Sequence, residues 1–471
     1  MVVGHGAAGL AAALSAAEQA RGLGLDIDVT LLEKSREADA GGNTRWSPSY
    51  IRLAAPDRIA PGFEEDMLEM SGGLADRGYF RTLAGHAVRT IGWLRAHGVE
   101  FVTPVYYLSA GPARIQPVGG GSAIVEKLLA AAKREGVKVR YEYEAKGLVM
   151  TEGGRVGGIA VQSRDGATIT LEADAVVLAS GGFQGNSAMM RAHFGVAAET
   201  IKLISPGTRS DTGDGIRIAM DQGACISGDW NGMHIEPIDP RSTGSAPVVL
   251  VYPYGIVVDR DGRRFLDEGS GLVHETWEAF ARDIHFVRPG SIAYAILDSR
   301  LFDIEGFGRA IRSDVPPYQA RTLEELAAQI GVPGHNLRGT VEAFNAAATG
   351  DAGQFDATRC DGLATAGLEP SKSNWARPIT KPPFLAYPLV GGLAYTFGGL
   401  ATNEKAEVLC PQGPMPGLYA AGETTGHFYG TAPNAVAVLR ALVFGQIAGR
   451  EAVDFVARVG AGNSREIHDG Y

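Results

Sequence analysis

Gly4-His5-Gly6-Ala7-Ala8-Gly9 sits between a short apolar run, Val2-Val3, and the alanine-rich segment LAAALSAAEQA. That order predicts strand, tight turn and helix, the arrangement in which free N–H groups and the partial positive charge of a helix N-terminus meet a phosphate. Gly4 permits the turn, Gly6 lets the backbone approach a pyrophosphate, and Gly9 lets helix and strand pack closely. The alternating run DIDVTLLEK predicts the next strand. Glu33 at its end is placed to accept hydrogen bonds from both hydroxyls of an adenosine ribose. A glycine motif in this context reads as a dinucleotide site. The first strand, Met1 to Val3, is so short that a longer native N-terminus is expected.

Two further segments extend that site. Gly41-Gly42-Asn43-Thr44-Arg45 follows the ribose-binding strand, where a second glycine loop reaches past the pyrophosphate. The segment GLYAAGE at 417–423 predicts another strand ending in Gly422 and the acidic Glu423. Such supplementary loops suit a long, rigid flavin and are superfluous for a nicotinamide, so the expected cofactor is FAD.

These loops need a scaffold to hold them. The 471 residues exceed one ordinary core and imply two domains. Residues 78–98 and Ser122 to Glu135 read as helices, and 137–150, 154–163 and 168–180 as an antiparallel meander feeding back into a buried parallel strand. Strand, helix and proline-rich loop signals mix over about 229–393, and the chain then returns to strand, turn and helix. The expected fold is α/β: a Rossmann-like, GR2-type FAD-binding domain from 1–228 and 394–471, interrupted by an α+β capping domain at 229–393. A net charge of −10 without a basic stripe argues against a nucleic-acid partner. Cys225, Cys360 and Cys410 are scattered and match no metal, haem or iron–sulfur pattern, so a reduced, cytoplasmic setting and no metal are expected.

GHGAAG, LLEK, GGNTR, LASGGF, TGDGI (212–216), DGRRFLDEG (261–269), YTFGG (395–399) and GLYAAGE together resemble the fumarate reductase/succinate dehydrogenase flavoprotein family. WNGMH (230–234), YPYGI (252–256), KSNWA (372–376) and FYG (428–430) are most similar to its tricarballylate dehydrogenase branch. The resemblance implies a cap closing over the flavin ring, and hydride transfer between flavin N5 and a substrate carbon with proton transfer at its neighbour. The substrate class implied is a small carboxylate or carbonyl compound. It also implies FAD contacts from Ala7, Ala8, Glu33, Lys34, Asn43, Thr44, Ala145, Gly182, Asp214 and Glu423. A helix starting near Asn434, with Val438 in its first turns, would aim its N-terminus at the flavin N1/O2 edge. Asn43 stands where the family attaches flavin covalently to histidine, so non-covalent FAD is expected.

The family pattern breaks at three places. Leu272 replaces the arginine that donates the proton, Tyr395 replaces a carboxylate-binding histidine, and Ala432 replaces the second substrate arginine. The candidates that remain are His234, as carboxylate ligand or acid/base, and Tyr395, in binding or proton transfer. His274, with Glu275, stands just past the lost arginine, and Tyr252 lies on a strand entering the cap. Each has a bland alternative: a loop cap, a buried aromatic, an amphipathic helix start, a packed strand. Arg45 is placed near the flavin, Arg114 reads as solvated surface, and Arg264 with Glu268 as a structural turn. With one dinucleotide fingerprint, electrons are expected to pass to or from an external partner, a membrane redox protein being one candidate. An oxygen-using flavoprotein and a non-catalytic flavin subunit are the rival readings.

Overall fold

The structure, a computed structural model, describes residues 1–105, 108 and 111–466. The apolar runs that read as buried strands assemble into one six-stranded sheet. Its order is Glu407–Cys410, Gly413–Ala420, Val176–Leu178, Val2–Val3, Thr30–Glu33, Lys138–Tyr141. The last five are parallel, with Val2 opposite both Val177 and Leu31, and only the Glu407–Cys410 edge runs antiparallel. The meander Glu144–Met150, Val156–Gln162, Thr168–Glu172 forms a separate antiparallel sheet, as its alternation predicts.

The helix Ala7–Leu23 is buried nearly all round because it lies against the terminal helix Ala437–Glu466. Small residues make that approach possible. A Cβ on Gly445 would lie 2.4 Å from the Ala8 carbonyl oxygen, and one on Gly449 2.2 Å from that of Ala12. Within the first motif, a Cβ on Gly9 would lie 1.8 Å from the Gly4 carbonyl oxygen. Gly9 therefore acts where helix and strand meet.

A second sheet is organised by one 13-residue strand, Phe384–Thr396. Its first half pairs antiparallel with Ala293–Asp298 and Tyr318–Ala320, and its second half with Met233–Ile238. The helices Val273–Phe286, Leu323–Ile330 and Gly334–Ala347 cover this sheet. The boundary expected at 393/394 falls inside the long strand, which runs uninterrupted from the second sheet to the wall beside Glu423. Tyr252 departs from expectation: the chain makes a short 3₁₀ turn at Tyr252–Tyr254, and the strand begins only at Ile256. Among the described residues no helix is long and apolar enough to cross a membrane, and no cluster of His, Cys, Asp or Glu has metal-ligand geometry.

Candidate active site

A cavity of about 620 Å³ runs from the C-terminal edge of the first sheet to the start of the helix Val273–Phe286. At one end the strand Thr30–Glu33 delivers Glu33, whose carboxylate accepts the His5 N–H at 3.0 Å and the Ser35 N–H at 2.7 Å. Lys34 donates to Thr212 Oγ1 at 2.6 Å and Asp214 Oδ2 at 2.9 Å. Burial outweighs the other influences on His5 and lowers its pKa to about 4, so the ring beside the phosphate loop is neutral. Gly4, Gly6, Ala7, Ala8, Gly42 and Thr44 line the next stretch, and Thr44 Oγ1 accepts the Ala7 N–H at 3.2 Å.

Glu423 sits further along, with its carboxylate accepting the Thr396 N–H at 3.0 Å. Gln184 donates to both Glu423, at 3.3 Å, and Asp211, at 2.8 Å. Burial pushes Glu423 up to about 7 and Asp211 well above the carboxylate range, so this acid pair holds a proton. Gly182 lies behind it: a Cβ there would stand 2.2 Å from Glu423 Oε1. The terminal helix begins at Ala437, three residues later than expected, and Asn434 and Val438 both line the cavity with Ala145 and Asn43.

The donor set fits an FAD. It comprises a helix N-terminus behind the tight turn at Gly4, where a Cβ would stand 2.2 Å from the Ala179 carbonyl oxygen, a carboxylate at the ribose position, and the start of a second helix at Ala437 lining the same cavity. Arg45 and Gly182, expected to contact FAD, do not line the cavity. Arg45 turns outward, its Nη1 donating to the carbonyls of Ala38 at 2.7 Å and Ala40 at 3.0 Å. Gly9 is also off the cavity and serves the helix–strand packing that its place in the motif predicts.

At the far end, His234 faces Tyr395 across the strand pair Met233–Ile238 and Phe384–Thr396. Strand alternation puts Glu236 on the same face as His234, and the helix Val273–Phe286 puts Glu278 one turn beyond His274. His234 Nε2 bonds Glu236 at 3.0 Å and Nδ1 bonds Glu278 at 2.6 Å. Burial alone would lower the His234 pKa, but the two carboxylates raise it to about 10, so it is an imidazolium held between them. Its ring nitrogens are both engaged, which makes it a fixed cation in the wall. Burial lowers the His274 pKa despite Glu275, so His274 lines the same space as a neutral ring. Burial holds the Tyr395 hydroxyl protonated, with the Glu278 charge adding to the effect.

Tyr252 does not reach the cavity. Its hydroxyl lies 3.2 Å from Thr276 Oγ1 and its ring packs at a tilt against Phe280, centroids 4.3 Å apart. Arg264 and Glu268 are likewise remote, joined at 2.6 Å in a buried pair that also accepts the Val257 N–H. Arg114, expected at the surface, is 3% exposed and faces inward, its guanidinium 3.7 Å from the Tyr50 ring. Arg52, Arg312, Glu236 and Glu278 also line the cavity and were not legible as site residues. For the two glutamates a signal existed, in the two-residue strand spacing from His234 and the four-residue helix spacing from His274. For the arginines none did, since they come from segments far apart in sequence.

A parallel sheet with this cofactor cradle and an inserted second sheet defines a nucleotide-binding flavoprotein. Comparison with known proteins agrees, because the family described as FAD binding domain matches residues 1–436. The chain belongs to it, within the fumarate reductase/succinate dehydrogenase flavoproteins, and is an FAD-dependent oxidoreductase. It is 32% identical to the NADH:acrylate oxidoreductase of Vibrio harveyi over 80% of this chain and 37% of that protein. It is 33% identical to the 4-oxocyclohexanecarboxylate 2-dehydrogenase of Sinomonas cyclohexanicum over 71% of this chain and 61% of that one. The open conformation of a flavocytochrome c3 fumarate reductase superposes with a TM-score of 0.77 at 26% identity, covering 96% of this chain and 78% of that one. The alignments thus span about a third to three-quarters of these relatives' lengths.

Proposed function

We propose that the chain dehydrogenates a C–C bond, or reduces the corresponding C=C bond, in a small carboxylate or carbonyl compound, in the manner of a tricarballylate dehydrogenase. The observation that carries this reading is the convergence of Tyr395, His274 and the His234 cation on the cavity end farthest from Glu33. When bound, FAD supplies the two-electron acceptor or donor. The protein's part is to orient the substrate, exclude water and move one proton. Residues 229–393 act as the cap that closes this end. Tyr395 presents a protonated hydroxyl and His274 a neutral ring, so between them the site can give or take a proton near pH 7. The names of the relatives fit, since acrylate, fumarate and 4-oxocyclohexanecarboxylate all carry a carboxylate beside or near the reacting bond. FAD is held non-covalently, and electrons pass to an external carrier, a membrane redox protein among the candidates.

An anaerobic screen of saturated and unsaturated small acids, read by FAD absorbance, tests this. A saturated acid is expected to bleach the oxidised holoenzyme, or an unsaturated one to reoxidise the dithionite-reduced form. Bleaching by a steroid and by no acid overturns the substrate class.

A further inference from the structure

Ile51 and Ile115 form an antiparallel bridge, exchanging both backbone hydrogen bonds at 2.9 and 2.8 Å. The bridge ends there, since the Leu53 N–H folds back onto the Ile51 carbonyl at 2.9 Å, but it brings the chain at residue 52 close to that at residue 114. Both are arginines, Arg52 at 6% and Arg114 at 3% exposure, and both line the cavity. A third, Arg312, joins them from the cap, donating to the Tyr50 hydroxyl at 2.8 Å, while Arg114 lies over the Tyr50 ring. Asp66 pairs with Arg52 and is itself 42% exposed, and the charges of Arg312 and Arg114 act on Glu236. Burying guanidinium groups carries a desolvation cost, which Asp66 and Glu236 offset in part. Planar guanidinium groups gathered on one cavity wall match a carboxylate bidentately.

We propose that Arg52, Arg114 and Arg312 form the carboxylate-binding subsite that sets substrate specificity in this chain, taking over from the arginines absent at Leu272 and Ala432. The subsite rests on the reading that the cavity end beside Tyr395 holds substrate. It is assembled from both sides, Arg52 and Arg114 from the cofactor-binding unit and Arg312 from the cap. An anion bound there bridges the two units. His274 lies within the field of Arg114 and Arg52, which places the bound carboxylate beside a group able to exchange a proton.

The test uses holoenzyme titrated with acetate, succinate and propane-1,2,3-tricarboxylate, and with succinamide as the neutral control, read by perturbation of the FAD spectrum and by Tm. At least one carboxylate is expected to bind and raise Tm, and succinamide not to. Arg114→Gln and Arg312→Gln are expected to weaken that carboxylate at least about tenfold, one charge-assisted contact, with FAD content unchanged. Arg114→Lys should restore part of the affinity. Equal binding of succinamide, no binding of any carboxylate, or affinities unchanged in both glutamine variants overturns the proposal. An acid that reduces the flavin equally well in Arg114→Gln and Arg312→Gln removes the subsite and leaves the oxidoreductase reading intact. Arginine-dependent binding without any flavin reduction does the reverse.

Discussion

His234 and Tyr395 stand directly opposite each other on antiparallel strands, their ring centroids 4.8 Å apart, at a bulge that shifts the register just after His234. The bulge turns the imidazole between Glu236 and Glu278 while the tyrosine keeps its place on the cavity wall. One residue of the pair is therefore a locked cation and the other a protonated hydroxyl. They cannot be exchanged.

Removing the cation leaves two buried carboxylates facing one another. His234→Ala is expected to destabilise the fold by about 3–5 kcal/mol, the usual cost of breaking a buried ion pair. The folded-state pKa of about 10 lies above the ordinary histidine value. The stabilisation is thus complete below about pH 6.5 and is lost as pH rises towards 10. Thermal unfolding from pH 6 to 10 should show the difference between wild type and variant shrinking at the alkaline end. A constant difference would mean that His234 is neutral in the folded protein.

Tyr395→Phe keeps the ring and removes only the hydroxyl. If that hydroxyl exchanges the proton, kcat should fall by roughly 10²–10⁴-fold while FAD content and KM change little. A variant with raised KM and normal kcat would assign Tyr395 to binding instead.

His274 is neutral near pH 7 because burial disfavours its charged form. In the free enzyme, kcat/KM should therefore lose activity on the acidic side, with an apparent pKa below the ordinary histidine value. His274→Gln should abolish that limb. Persistence of the limb in the variant would exclude His274 as the titrating group.

At the cofactor end, Glu33→Ala removes an acceptor that already orders the His5 and Ser35 N–H groups. FAD affinity should fall by roughly 10–100-fold, the worth of hydrogen bonds to a charged group, as measured by FAD release on dilution. Gly9→Ala acts differently. Its methyl would collide with the Gly4 carbonyl oxygen, so the soluble yield and Tm should fall even with excess FAD.

The cofactor end was almost wholly legible in the residues. Gly4, Gly6, Gly9, Glu33, Gly42 and Thr44 act through backbone conformation and short-range sequence order. Their spacing therefore carries their meaning. The strands, the meander and the main helices were legible for the same reason, being local periodic patterns. Tyr252 misled because YPYGIVV has the composition of a strand, while Pro253 and Gly255 turn its first half into a 3₁₀ helix. Arg45 misled because adjacency to a glycine loop says nothing about which way a long side chain points.

The substrate end was legible only in part. His234, His274 and Tyr395 stood out against a family pattern, but their protonation states depend on Glu236, Glu278 and the depth of burial. Arg52, Arg114 and Arg312 come together across about 260 residues of chain, through one β-bridge and the seating of the cap. Local spacing determined that this protein holds FAD, because a phosphate loop is a local structure. Only tertiary packing decided which charges face the bound molecule, because electrostatics depends on distance in space and on exclusion of water, and neither follows from order along the chain.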